Sequence, residues 1–218
     1  MKRTLVVGTA VALALAGRAA GAQMLGIPVL QNAFSNPGFT FAGNFGTVED
    51  AHAYGVAVAW APRNPRFQVS GGLAALEPDE GDRTGTWGAR VMAPVIGLRR
   101  GAFGIAAFAG MGGSSSSGIT ELRVPVGVSA GYRRALGRTR SMSVYVAPFY
   151  SWARRSGDEV EAVSAGVIRV SAGLDVALFS SLGLTIGYET GAEADVGDPG
   201  PTGGAFGVGI SYSLWRRR

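Results

Sequence analysis

The 218-residue chain has no cysteine and one histidine. A small secreted module stapled by disulfides is therefore excluded, and stability has to come from the fold itself. Long apolar runs are also missing. The stretch LVVGTAVALALA, residues 5–16, is short of the ~20 residues that a membrane-spanning helix needs, and Arg18 blocks its extension. Lys2 and Arg3 precede it, and Ala20 and Ala22 form an A-x-A site before Gln23, so residues 1–22 are predicted to be a secretory signal peptide. No helical period follows. The 35 glycines, spaced every few residues, would each weaken a helix by about 1 kcal/mol. They lack a collagen period and accompany too many Val, Ile, Leu and aromatic residues for a disordered chain. Strong charge is absent too. Without Lys2, Arg3 and Arg18, the 20 basic residues become 17 against 15 acids, a net +2 in place of +5, so nucleic acid is not implied.

What the mature chain does have is two-residue alternation. In AYGVAVAWA, residues 53–61, one face carries Tyr54, Val56, Val58 and Trp60, and the other carries only alanine and glycine. A half-buried strand of a soluble sheet alternates apolar with polar. Here the bulky side is oily and the other side is small. The pattern occurs ten times in all, the nine other faces including Phe39 and Phe41, Val69 and Leu73, Val91 and Val95, Ile105 and Met111, Val126 and Val128, Val144 and Val146, Ile168 and Val170, Leu184 and Ile186, and Val208 and Ile210. The opposite faces hold Gly, Ala, Ser and Thr, with three arginines (Arg90, Arg123, Arg169) against three acids (Glu121, Asp175, Glu189), the balance that an enclosed, poorly hydrated space requires.

The connections sort by charge. TVEDAH, EPDEGDRTG, GGSSSSGI, ARRSGDEVEA and AEADVGDPGPTGG follow odd-numbered strands, read as mostly longer than the others, and hold twelve of the fifteen acids. APRNPR, LRRG, RRALGRTRS and SSLG follow even ones; the first three are basic and the fourth is uncharged, and Arg216, Arg217 and Arg218 lie at the same end. Alternate connections of an up-and-down sheet lie on opposite sides, so the sorting gives the sheet an acidic end and a basic end.

A sheet with an oily face on every strand buries it against a second sheet, helices or lipid. Helices are missing, and a soluble sandwich needs a richly charged outer face. In lipid every backbone donor must be paired within the protein, so a sheet is permitted only when closed on itself. The predicted fold is all-β: a transmembrane antiparallel up-and-down barrel of ten strands over 38–218, or eight if GFTFAGNFGT and its neighbour pack otherwise, after a lead segment at 23–37. Paired charges with Met92, Phe108, Tyr145 and Phe149 should fill much of its narrow lumen. Aromatic girdles are expected at both interfaces. Trp60, Phe103, Tyr132, Tyr212 and Trp215 lie toward the basic end, and Phe45, Tyr54, Trp87, Tyr150, Trp152, Tyr188 and Phe206 toward the acidic end.

With its signal peptide, even strand count and final strand FGVGISYSLW, nearly all of the mature sequence resembles the bacterial outer-membrane β-barrel family, including its small or porin-like members. The resemblance implies an assembly signal in the last strand, carried by Gly209, Tyr212, Leu214 and Trp215, although Arg216, Arg217 and Arg218 trail the terminal aromatic. It also implies an outer-membrane location after export, periplasmic basic turns, extracellular acidic loops, and as partners the barrel-assembly machinery and outer-membrane lipids including lipopolysaccharide.

Motifs for chemistry are weak. GVSAG, residues 127–131, matches a nucleophile elbow, but it sits inside an alternating strand where the elbow needs a strand-to-helix turn. His52, in the first loop beside Glu49 and Asp50, is a candidate general base of a rim hydrolase, with no paired Asp-x-His or His-x-Ser spacing to position it. EPDEGD, with Asp79, Glu80 and Asp82, offers oxygen ligands for a divalent cation or simply solvated charge. No cofactor and no metal site are predicted. The expected function is a structural or narrow-pore role, with an adhesin or receptor acting through the loops as the alternative and a hydrolase behind it.

Overall fold

The computed structural model describes residues 37–48, 51–63, 66–79, 83–96, 102–116, 118–157, 161–192 and 203–214. The expected signal peptide, the lead segment up to residue 36, Trp215 and the three terminal arginines lie outside them. Ten strands follow one another: β1 (Gly38–Val48), β2 (Ala51–Ala61), β3 (Gln68–Pro78), β4 (Thr84–Ile96), β5 (Phe103–Ser116), β6 (Ile119–Ala135), β7 (Ser141–Gly157), β8 (Val163–Ala177), β9 (Leu182–Gly191) and β10 (Ala205–Leu214). Each pairs antiparallel with its neighbours in sequence, and β1 pairs with β10, so the sheet closes with no free edge. The weak-looking first strand is fully paired, Phe41 standing opposite both Val58 and Tyr212, which settles the count at ten.

The alternation decides the faces. Val56 and Leu73 are 64% exposed on the outer wall, whereas Ala53 on the inner wall of β2 has no exposure. Register links the strands into a staggered ladder. From Asp175 on β8, successive partners are Thr185, Gly209, Asn44, Gly55, Ala74, Thr86, Ser114, Glu121, Arg155 and finally Val163, which is again on β8. One circuit therefore returns twelve residues away from its start, as residues 175 and 163 show. A shear of this size tilts the strands by about 40° and fixes a narrow bore. Among the described residues the ladder shifts register between Pro94 and Ile96 near the end of β4, a position where a proline costs the ladder least.

The connections are shorter than expected in several places, among them RRALGRTRS, whose Arg133 and Arg134 belong to β6, which reaches Ala135, and EPDEGDRTG, whose Glu77 and Pro78 belong to β3. GGSSSSGI is not a loop: β5 runs to Ser116 and β6 begins at Ile119, with Gly118 in the turn at φ 77°. Arg154 and Arg155 belong to β7, which reaches Gly157. His52 lies within β2, not in a loop, because β1 and β2 are separated only by residues 49–50. The acidic-end connections are thus not generally the longer set; the one between β9 and β10 is. The reason is that Ser, Thr and Gly continue a β ladder once it is nucleated, so the strands β5 to β8, of 14 to 17 residues each, run past the ~9–11 that a bilayer needs.

Candidate functional site: the barrel lumen

Inward positions of the closed ladder meet in one narrow space, and the sequence places large groups there only where a neighbour is small. Phe149 stands in register with Gly127, where an added Cβ would collide with Phe149 and the Pro148 backbone. Tyr145 leans over Gly173, where a Cβ would come 2.5 Å from the ring. These two glycines make room for two aromatic side chains that project into the bore. Phe108 meets Phe149 with ring centroids 6.3 Å apart and planes inclined by 55°. Met92, Ala106 and Ala147 complete the cluster, and Met92, Phe108, Tyr145 and Phe149 are each 3 to 4% exposed. The Arg90 guanidinium lies 4.0 Å from the Phe108 ring centroid, a cation–π contact at mid-strand.

Toward the acidic end, Arg169 on β8 donates from Nε to Glu189 Oε1 at 2.8 Å, with both side chains at most 1% exposed. Its two terminal nitrogens donate to the Ala192 carbonyl at 3.1 Å and the Gly203 carbonyl at 2.5 Å. One guanidinium thus ties a buried carboxylate and both ends of the β9–β10 connection together. Arg123 donates from Nε to Glu121 Oε1 at 2.6 Å, and Arg155 reaches Glu121 Oε2 at 3.3 Å. Asp175 lies nearer the basic end and accepts from Thr185 Oγ1 at 2.5 Å. Of the six charged residues singled out in the sequence, the structure joins Glu121 to Arg123 and Glu189 to Arg169, sets Arg90 on an aromatic ring and sets Asp175 beside a threonine.

Arg155 escaped sequence reasoning because it read as loop; continuing the alternation from Ala153 would have found it. The carbonyls that Arg169 holds have no sequence signal. Ser129 of GVSAG is fully buried inside β6. His52 is an exposed strand residue, its ring 5.9 Å from Phe45 and its register partners Thr47 and Glu77. Glu77 pairs with Arg83 at 2.7 Å; Glu80 and Asp82 fall outside the described residues.

On the outer wall Tyr54, Trp60, Trp87, Phe103, Tyr132, Tyr150 and Tyr212 are exposed, and Trp152, Tyr188 and Phe206 are half-buried. Cross-strand partners cluster at the two ends: Phe45 with Tyr54 and Phe206 with Tyr188 at the acidic end, Phe39 with Trp60 and Phe103 with Tyr132 at the basic end. Gly209, Tyr212 and Leu214 lie in β10 against β1.

A closed ladder with an oily exterior and a small, polar interior defines the class: this is the fold of the bacterial outer-membrane β-barrels. The chain is similar in fold to the β domain of the Bordetella autotransporter Brka, with a TM-score of 0.53 and 15% identity over 82% of this chain and 100% of that one. Matches of lower TM-score include the KdgM porin in complex with disordered oligogalacturonate (0.42, 8% identity, 81% of this chain and 99% of that one) and Ail, the attachment invasion locus protein of Yersinia pestis (0.32, 14% identity, 81% and 99%). No family model and no curated protein matches the sequence.

Proposed function

We propose that the protein is a structural barrel of the bacterial outer membrane whose lumen is closed to solutes. The observation that carries this reading is the packed mid-lumen: Met92, Phe108, Tyr145 and Phe149 project from β4, β5 and β7 into a ten-strand bore and are only 3 to 4% exposed. The buried Arg169–Glu189 pair adds a second closure toward the acidic end. In this reading residues 1–22 direct export, the barrel begins near residue 38 after the lead segment, and the basic turns face the periplasm while the acidic hairpins face outward. The aromatic pairs sit at the two lipid interfaces, where amphipathic rings are favoured. Lipopolysaccharide and other outer-membrane lipids surround the wall, and Gly209, Tyr212, Leu214 and Trp215 present the last strand to the assembly machinery. The lumen charges hold the interior together and take no part in catalysis.

Planar-bilayer recording tests this. The wild-type barrel is expected to give no stepwise current, and the double variant Phe108→Ala/Phe149→Ala, which deletes both rings of the central contact, is expected to give discrete steps. Steps from the wild type would overturn the closed-lumen reading in favour of a narrow pore.

A further inference from the structure

Among the described residues part of the lumen is open. At the basic end a cavity of about 590 Å³ lies between the inner walls of β1, β7, β8, β9 and β10 and the β6–β7 turn, within the ~300–1,000 Å³ typical of small-ligand sites. Its walls are rich in hydroxyls. Thr40 and Ser213 share a 2.9 Å hydrogen bond, Thr185 donates to Asp175 at 2.5 Å, and Ser143 and Ser211 also line the space. Its charge is unbalanced: Arg133 shares the cavity with Asp175, the one acid among the lining residues and a charge that acts on it, and Arg138 and Arg140 are in excess. Arg133 comes from the inner face of β6, in register with Ser143, which is in register with Asp175. Arg138 and Arg140 are exposed on the turn at the mouth.

These features select one chemistry. Cationic groups at the mouth of a low-dielectric cleft draw anions in, and guanidinium forks match the oxygens of phosphate and carboxylate groups. Serine and threonine hydroxyls both donate and accept, as the hydroxyls of a polyol do. Further along the inner face of β7 from Ser143 stand Tyr145 and Phe149, each 4% exposed.

We infer that this vestibule is a binding site for a small anionic polyol, a phosphate ester of a sugar or of glycerol, entering from the side of the basic turns. Arg133, Arg138 and Arg140 meet the anion, and the Ser and Thr side chains meet the hydroxyls. The site goes beyond the closed-lumen reading and rests on it only for the compartment into which the mouth opens.

Calorimetric titration of the folded barrel in amine-oxide micelles tests the site, with glucose 6-phosphate as the probe and glucose as the control. Saturable binding of the phosphate ester is expected, weakened by about tenfold or more in Arg133→Gln and in Arg138→Ala/Arg140→Ala. The second variant changes only an exposed turn and keeps the test informative if Arg133→Gln misfolds. No saturable binding, or equal affinity in the wild type and both variants, would overturn the inference. Repetition in nanodiscs of phosphatidylcholine with and without phosphatidylglycerol separates the sources: loss of probe binding on adding phosphatidylglycerol assigns the pocket to a lipid headgroup, and undiminished binding assigns it to a free phosphate ester. A conducting barrel that still binds sinks the closed-lumen reading alone, and a silent barrel that binds nothing sinks this site alone.

Discussion

Arg169 and Glu189 show what a single buried charge is for. Moving either from water into the bore costs several kcal/mol, offset only when every hydrogen-bonding atom is engaged. Arg169 meets that demand with one carboxylate and two backbone carbonyls. Glu189→Gln leaves the arginine charge facing an amide and is expected to destabilise the barrel by about 3 kcal/mol or more in urea unfolding from liposomes. The double change Arg169→Met/Glu189→Leu is expected to cost far less, because both desolvation penalties vanish together. Equal losses for the two would show that the loop-end carbonyls, not the ion pair, dominate. Arg90 uses another solution, placing its charge over the electron-rich face of Phe108.

Each strand is an element with two solvents. Val56 of β2 points outward between Gly43 of β1 and Leu73 of β3, while Ala57 next to it points into the bore. Val56→Arg is expected to cost about 2–4 kcal/mol of folding stability in bilayers if the site is near the midplane, and His52→Arg, on the same face of the same strand but at the acidic end, about 0–1 kcal/mol. Refolding equilibria in thin-chain liposomes measure both. Similar costs at the two positions would count against the outer wall of β2 crossing a hydrocarbon layer. The alternation that sets this geometry was legible in sequence, and all ten strands were found by it. Strand ends were not. Ser114, Ser115 and Ser116 read as a flexible loop because serine and glycine carry no β preference, yet they pair with Glu121, Thr120 and Ile119 since a ladder already formed beside them extends at little cost. His52 and Arg155 were misplaced for the same reason.

For the whole molecule, closure matters more than any strand. The twelve-residue stagger links Asp175 at the basic end of β8 to Val163 at its acidic end around one circuit, and with ten strands it demands a tilt of about 40°. Polarised infrared spectroscopy of the barrel in supported bilayers is expected to return that tilt; strands within about 20° of the bilayer normal would be incompatible with this closure. The same stagger stacks the lumen into levels: hydroxyls and the open cavity at the basic end, aromatic rings in the middle, two ion pairs toward the acidic end.

Sequence alone determined which way each side chain of a strand faces, because the two-residue period is a local property of extended backbone: Tyr54, Val56, Val58 and Trp60 must share a side whatever the strand pairs with. It also marked Met92, Phe108, Tyr145 and Phe149 as inward. Only the tertiary structure decided which inward residues meet. Arg169 finds Gly203 and Glu121 finds Arg155, each pair separated by 34 residues along the chain, because the register between strands, which no single strand encodes, sets who stands opposite whom.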